Sequence, residues 1–298
     1  MNRLLNLMIY IYIFLLILEL GLIFLRNEAT IDRYNIPGED RTKLDSTAFN
    51  SNTSVHEIID LCLLAGKIML QSGAETYRVE DTMTRMAASL GFPGAHSYVT
   101  PTVIMFTTNR IEPAKLFRIA ERTTDLEKVS EVNDVSRRLS ERQITASEAR
   151  ERLNEIDEAA HAYPIWLQIA AAALTGACFT VMFKGSLWDS LPALFISGIG
   201  YAAVIYMHRI VQVRFFAEFS ASFLIGLLAF YFVHNGVGQE MDKIIIGSVM
   251  PLVPGLLITN AVRDLMAGHL VSGLSRGADA FLTAFAIGTG IGLVLSLL

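Results

Sequence analysis

Ser248-Val249-Met250-Pro251-Leu252-Val253-Pro254-Gly255-Leu256-Leu257-Ile258-Thr259-Asn260-Ala261-Val262-Arg263-Asp264 is the stretch that decides the fold class of this chain. Ile244 to Val262 carries no charged side chain, a length that suits a bilayer crossing, yet Pro251, Pro254 and Gly255 fall in its middle. The pattern predicts a broken membrane helix. Neither proline supplies an N–H, so the carbonyls of Gly247 and Met250 are expected to lose their helical donors and to need another partner or a water-lined cavity. The half-helix starting near Pro254 would present free N–H groups and a positive dipole end, a setting that suits a carboxylate. Transporters build midplane sites from such interrupted helices. A Pro-x-x-Pro-Gly kink that serves packing alone is the competing reading.

Thr259, Asn260, Arg263 and Asp264 follow within two turns of the break. Thr259 and Arg263 share one face at i and i+4, and Asn260 and Asp264 share the adjacent one. Such a cluster at the end of a membrane helix is either interfacial or functional. Pro251, Pro254, Gly255, Thr259, Asn260, Arg263 and Asp264 are therefore the candidates for a substrate or ion path.

Leu252-Val253-Pro254-Gly255, Thr259-Asn260-Ala261-Val262-Arg263-Asp264-Leu265, Gly268, Ser272-Gly273 and Arg276-Gly277 together resemble the hallmark of the threonine/serine exporter family. A second stretch, Gly73-Ala74-Glu75-Thr76-Tyr77-Arg78-Val79-Glu80-Asp81-Thr82-Met83, resembles the signature of that family's N-terminal half, so the likeness covers roughly residues 55 to 298. It implies a secondary transporter that exports threonine, serine or a small dicarboxylate, driven by protons. Full-length relatives carry a second membrane half, which implies a separate multi-span membrane subunit as partner. It also implies a functional role for Gly73, Glu75, Arg78 and Glu80, as a surface that docks on the membrane part. From the residues alone, Glu75 in a first helical turn with Arg78 at i+3 reads as a structural ion pair.

Composition excludes an ordinary soluble protein, with 52% hydrophobic and 18% charged residues. Residues 28 to 163 hold 16 Lys/Arg and 22 Asp/Glu, whereas residues 164 to 298 hold only six of each. The expected fold is a multi-span α-helical membrane protein with an N-terminal cytoplasmic mixed α/β domain and one broken transmembrane helix. Its expected parts are residues 1–27, an extra N-terminal span or a start-site artefact; 28–54, a linker; 55–163, the cytoplasmic domain; and 164–298, five spans in the cytoplasmic (inner) membrane. A formal charge of -5 gives no reason to expect nucleic acid or an anionic lipid surface as partner. Two distant cysteines, Cys62 and Cys178, argue against a disulfide framework.

In the N-terminal domain, the pattern Ser54-Val55-His56-Glu57 predicts a capped helix running to about Ser72 and closed by Gly73. A second helix is expected over Glu75 to Leu90, strands over Tyr98 to Thr107 and Lys115 to Ile119, and helices over Asp125 to Gln143 and, after Thr145-Ala146-Ser147-Glu148, to Ala162. The membrane part divides into apolar runs Pro164–Phe183, Ser190–Met207, Phe215–Val233, Ile244–Val262 and Ala280–Leu298. With the soluble domain inside, the inner loops hold Arg209, Arg214, Arg263 and Arg276 and the outer ones Lys184 and Lys243, which places the C-terminus outside. Ser197-Gly198-x-Gly200 and Gly288-x-x-x-Gly292 are expected to allow close helix contact.

Glu218 lies about one turn inside the third run, where it can snorkel, face a cavity or pair with Arg214, and it is a candidate for a proton relay. Asp264 and Arg263 face different ways, and Arg276 or Asp279 are the expected partners. The six histidines have no metal-ligand spacing, and no nucleophile-elbow or phosphate-loop pattern occurs, so neither an enzyme nor a metal or cofactor is expected. A membrane-anchored metabolite sensor without transport is the alternative; a broken span is what sets a transporter apart from a mere anchor.

Overall fold

The structure is a computed structural model that describes residues 52–108, 113–159, 163–211 and 213–298. The expected N-terminal span and nearly all of the linker lie outside the described residues. Two compact units emerge, and each is taken by itself: Tyr163–Pro254 with Phe281–Leu298, and the described part of Asp45–Ala162 with Gly255–Ala280. By this grouping 255–280 goes with the described part of 45–162.

That domain begins with α1 (Asn52–Gln71) and α2 (Thr76–Ser89). Ser54 is already helical within α1. Ile59, Cys62, Ala65, Ile68 and Met69 are buried from α1, and Val79, Met83 and Met86 from α2. Their interlock is tight enough that any Cβ on Gly66 would run into the Met83 side chain. Burial pushes the Cys62 thiol up to about 12, which makes it a packing residue with no thiolate chemistry near neutral pH.

The expected single strand over Tyr98 to Thr107 is instead a hairpin, β1 (His96–Thr100) and β2 (Val103–Thr107), in antiparallel register with Thr100 opposite Val103. Pro101 occupies the two-residue turn, where its fixed φ is useful and its missing N–H costs no ladder bond. β3 (Lys115–Arg118) completes the sheet in the order β1-β2-β3. α3 (Leu126–Ser140) is capped by Asp125, and α4 (Ala146–Glu158) by the reciprocal Thr145/Glu148 box. Val129, Val132 and Leu139 of α3 and Leu153 and Ile156 of α4 join the same apolar core.

In the other unit, α5 (Ile165–Met182), α6 (Leu187–Ile210) and α7 (Arg214–His234) are each long and apolar enough to cross a membrane. α10 (Leu270–Leu297) also qualifies, giving four such helices among the described residues, or five if the interrupted pair forms one span. α10 starts ten residues earlier than the apolar run Ala280–Leu298 suggests. Arg276, expected in a loop, is helical, and its side chain is buried against Ala74 and Asp264. Small residues bring the helices together: Ser197 donates to the Ala172 carbonyl at 2.8 Å, and a Cβ on Gly247 would lie 2.8 Å from the Gly176 carbonyl oxygen. Gly288 and Gly292 have no neighbour against their α-carbons among the described residues, so that expected contact is absent, and Gly290 makes the close approach to α7 instead.

The interrupted stretch is resolved into α8 (Met241–Val249), a 3-10 turn (Met250–Leu252), extended Val253 and α9 (Gly255–Met266). The carbonyls of Gly247 and Met250 lack the i+4 donors that Pro251 and Pro254 cannot supply, and of the two expected outcomes they take another partner. Gly247 accepts from the Met250 N–H, and Met250 from the Val253 N–H at 3.2 Å. A tightened i to i+3 turn thus satisfies both carbonyls without a cavity.

Candidate functional site

The α1–α2 turn explains how the two sequence hallmarks come together. Gly73 has φ +89, and the pair of bonds Gly73 N–H to Leu70 O (3.3 Å) and Ala74 N–H to Met69 O (3.0 Å) ends α1 in a Schellman motif. That geometry leaves the Gly73 and Ala74 carbonyls outside any helix, with α2 starting immediately afterwards. Both carbonyls are taken by the C-terminal hallmark. Asn260 Nδ2 donates to the Gly73 oxygen at 2.9 Å, and Arg276 donates a guanidinium N–H to the Ala74 oxygen at 2.7 Å.

The N-terminus of α2 receives the next group. Asp264, fully buried, accepts from the Thr76 backbone N–H at 2.9 Å and from the Thr76 hydroxyl at 3.0 Å. It therefore caps α2 from 188 residues away. Arg276 Nε lies 3.4 Å from the second Asp264 oxygen, and both side chains are almost wholly enclosed. The sequence suggests a carboxylate at the start of the half-helix after Pro254; the carboxylate found at a helix start is Asp264, supplied by that half-helix to α2.

Glu75, the N-cap residue of α2, is shared by two cations: Arg263, and Arg78 at 3.2 Å. Burial alone raises the cost of ionising Glu75. Its own backbone N–H, the Arg263 hydrogen bond and the two guanidinium charges outweigh that and hold its carboxyl below the usual range. Arg263 differs from Arg276 in one respect that matters chemically: its side chain stays 55% exposed. Glu80 has a different task. It accepts from the Val99 N–H at 2.8 Å, tying β1 to α2, with His269 Nδ1 3.8 Å away. Burial pushes Glu80 above the ordinary carboxylate range, Val99 and His269 oppose this, and Asp264 adds to it.

The remaining candidates fall elsewhere. Thr259 is exposed and bonds back to its own helix at Gly255, where a Cβ would meet open space among the described residues. In the other unit, Pro251 borders an apolar cleft of about 440 Å³ whose polar members are Tyr163, Gln168, Thr175 and Tyr201. Glu218 is buried and paired with Arg214 at 3.0 Å, but its second oxygen and the Ser220 hydroxyl have no hydrogen-bond partner among the described residues. The expected partners resolve as Arg276 for Asp264 and Glu75 for Arg263, while Asp279 pairs with Arg122 at 3.2 Å. Among the described residues no group of three or more metal-ligating side chains forms. Sequence reasoning did not single out Thr76 or Arg276 as site residues. The signal for Arg276 was a charge beside an apolar run, too costly there without a dedicated partner; Thr76 carried none.

The family model described as "Putative threonine/serine exporter" matches residues 60–298, a span that contains both hallmarks. The chain belongs to the threonine/serine exporter family. Its helices and this membership make it a multi-pass membrane protein. It is 29% identical over 247 residues to a Klebsiella aerogenes protein named "Probable succinate transporter subunit YjjP", covering 80% of this chain and 92% of that one. It is 25% identical over 248 residues to the Mycobacterium tuberculosis "Probable threonine/serine exporter", covering 81% of this chain but only 46% of that one. A "Pheromone-regulated membrane protein 10" of Yarrowia lipolytica is 25% identical over 235 residues, 76% of this chain and 19% of the yeast protein. No solved structure matches.

Proposed function

We propose that this chain is one membrane subunit of a proton-driven secondary transporter that exports a small carboxylate, either threonine/serine or a dicarboxylate such as succinate. The observation that carries the reading is the Glu75–Arg263 pair. Arg263 is held by a carboxylate yet remains half in solvent, so a substrate carboxylate has the chemistry to take Glu75's place. Two of the three relatives bear names of carboxylate substrates, and the YjjP relative is named as a subunit.

In this reading α8, the 3-10 turn and α9 form one interrupted span, and the apolar cleft at Pro251 belongs to the path. Asp264, Arg276, Asn260 and Thr76 fix α9 against the α1–α2 turn and so position Arg263. Glu218, with one open oxygen in a buried setting, is the proton carrier. The N-terminal domain is cytoplasmic and the C-terminus faces out, following the arginine distribution of the loops. A second multi-span subunit supplies the other half of the path.

The test is efflux from proteoliposomes loaded with radiolabelled threonine, serine or succinate, with and without the second subunit, normalised to inserted protein. Wild-type efflux with the subunit, and a severe drop in Arg263→Ala, is the expected result. Substrate binding with no efflux in any arrangement would replace the transporter by a membrane-anchored sensor.

A further inference from the structure

A separate cleft of about 450 Å³ lies within the N-terminal domain between α2 and α3, lined by Arg78, Asp81, Thr82, Arg85, Ser130, Asn133 and Arg137 with Leu126 and Val129. Three guanidinium groups face one lining carboxylate in a polar, open hollow, a composition suited to a small anion and poorly suited to an apolar ligand. Two of these arginines, Arg85 and Arg137, have internal partners that are easily displaced. Arg85 pairs with Asp81 at 3.0 Å with both side chains well exposed, and Arg137 is 3.8 Å from Asp134, also exposed. Such surface pairs are worth little and exchange readily for a ligand. Arg85 is also aimed by its bonds to the Ser136 hydroxyl (3.3 Å) and the Thr82 hydroxyl (3.5 Å). Ser130 adds an exposed hydroxyl at the rim.

We infer that this cleft is a cytosolic binding site for a small dianion, a phosphate or a dicarboxylate, held by Arg78, Arg85 and Arg137 and distinct from the Arg263 site. Arg78 gives it a consequence. Glu75 divides its two oxygens between Arg78 and Arg263, so an anion that draws Arg78 away leaves Arg263 as the only strong counter-ion of Glu75. Glu75 then holds Arg263 more firmly, and a substrate carboxylate displaces it less readily. The cleft is an inhibitory sensor of cytosolic anion level; this coupling, unlike the binding itself, rests on the transport reading above.

The experiment is calorimetric titration of the full chain in phosphatidylcholine nanodiscs at low ionic strength with inorganic phosphate, with succinate and with acetate. Binding of phosphate or succinate, at least about tenfold weakened in Arg85→Gln and in Arg137→Gln, is the expected outcome, since each removes one charge-assisted contact. Ser130→Glu, on an exposed position that folding does not depend on, sets a carboxylate among the same arginines and is expected to abolish binding. Arg263→Gln keeps all three cleft arginines and should leave phosphate binding measurable, weakened only as far as Glu75 then holds Arg78 more firmly, which separates this cleft from the transport site. Phosphate against succinate tells which dianion is the ligand, and acetate should bind at least about tenfold more weakly than either. Absence of phosphate and succinate binding, or affinity unchanged in both arginine variants and in Ser130→Glu, would overturn the site. Failure of efflux assays alone removes the coupling and leaves the binding result standing.

Discussion

Two buried carboxylates show how differently one chain treats the same chemical group. Asp264 has both oxygens occupied, by the Thr76 N–H, the Thr76 hydroxyl and Arg276. Glu218, equally enclosed, is held at one oxygen by an arginine that is itself half exposed, while its other oxygen and the neighbouring Ser220 hydroxyl stay open. A satisfied buried carboxylate fixes structure; a half-satisfied one retains a position for a proton. Asp264 holds α9 on the α1–α2 turn, and the half-satisfied setting is why Glu218 is the residue proposed to carry a proton.

The sharpest way to break this contrast is to remove one member of the enclosed pair. Arg276→Leu strands the Asp264 charge and is expected to cost about 3–5 kcal/mol, seen as a large fall in thermal midpoint of the detergent-solubilised protein. The double variant Asp264→Ala/Arg276→Leu should lose less than the two single losses combined. Strict additivity would show that the two side chains do not act as a pair.

Glu218→Gln is expected to change stability by less than about 1 kcal/mol, because the amide keeps the bond to Arg214 and no longer has to hold a buried charge. Its effect belongs in transport: efflux should lose its dependence on the proton gradient. If gradient dependence survives with a normal rate, Glu218 carries no proton.

Arg263→Ala removes a half-exposed pair and should cost roughly 0.2–1 kcal/mol of stability while lowering efflux severely. Arg263→Lys sharpens the point, since lysine keeps the charge and loses the planar fork. Full efflux in the lysine variant would reduce the requirement to charge alone.

The smallest expected effect is on the acid side of the stability profile. Glu75 has its carboxyl held below the ordinary value, so its pairing stabilises the fold above the unfolded-state value near 4.5 and is lost as pH falls through the lower folded value. Glu80 is raised and has the opposite sign: it takes up a proton above the ordinary range, and its contribution grows as pH falls. Glu75→Gln should therefore flatten the loss of thermal midpoint below about pH 4.5. An unchanged acid slope would show that the ion pair with Arg263 does not form in solution.

What was legible in the sequence was whatever is encoded locally. The 3.6-residue spacing of Cys62, Ala65 and Met69, the Thr145/Glu148 box, the Gly73 terminator and the uncharged runs of α5, α6 and α7 each state their own geometry within a few residues. The Pro251 and Pro254 break was legible for the same reason, since a missing N–H acts on a carbonyl within one turn. Where the local rule had two outcomes, tertiary structure chose between them. Tyr98 to Thr107 has the composition of one strand, but Pro101 turns it into a hairpin that β3 extends. The orphan carbonyls at the break close into a 3-10 turn without any cavity.

Most of the polar knot was beyond the sequence, which offered only Arg276 as a partner for Asp264. Asn260, Asp264 and Arg276 are separated by nearly two hundred residues from the Gly73, Ala74 and Thr76 groups they bind, and no periodicity links positions that far apart. The sequence by itself determined that Arg276 and Asp264 needed partners, because charge beside apolar helix is costly without one. Only the tertiary structure decided which partners, because the carbonyls that receive Asn260 and Arg276 become available only when a Schellman turn ends α1 and α2 begins beside it.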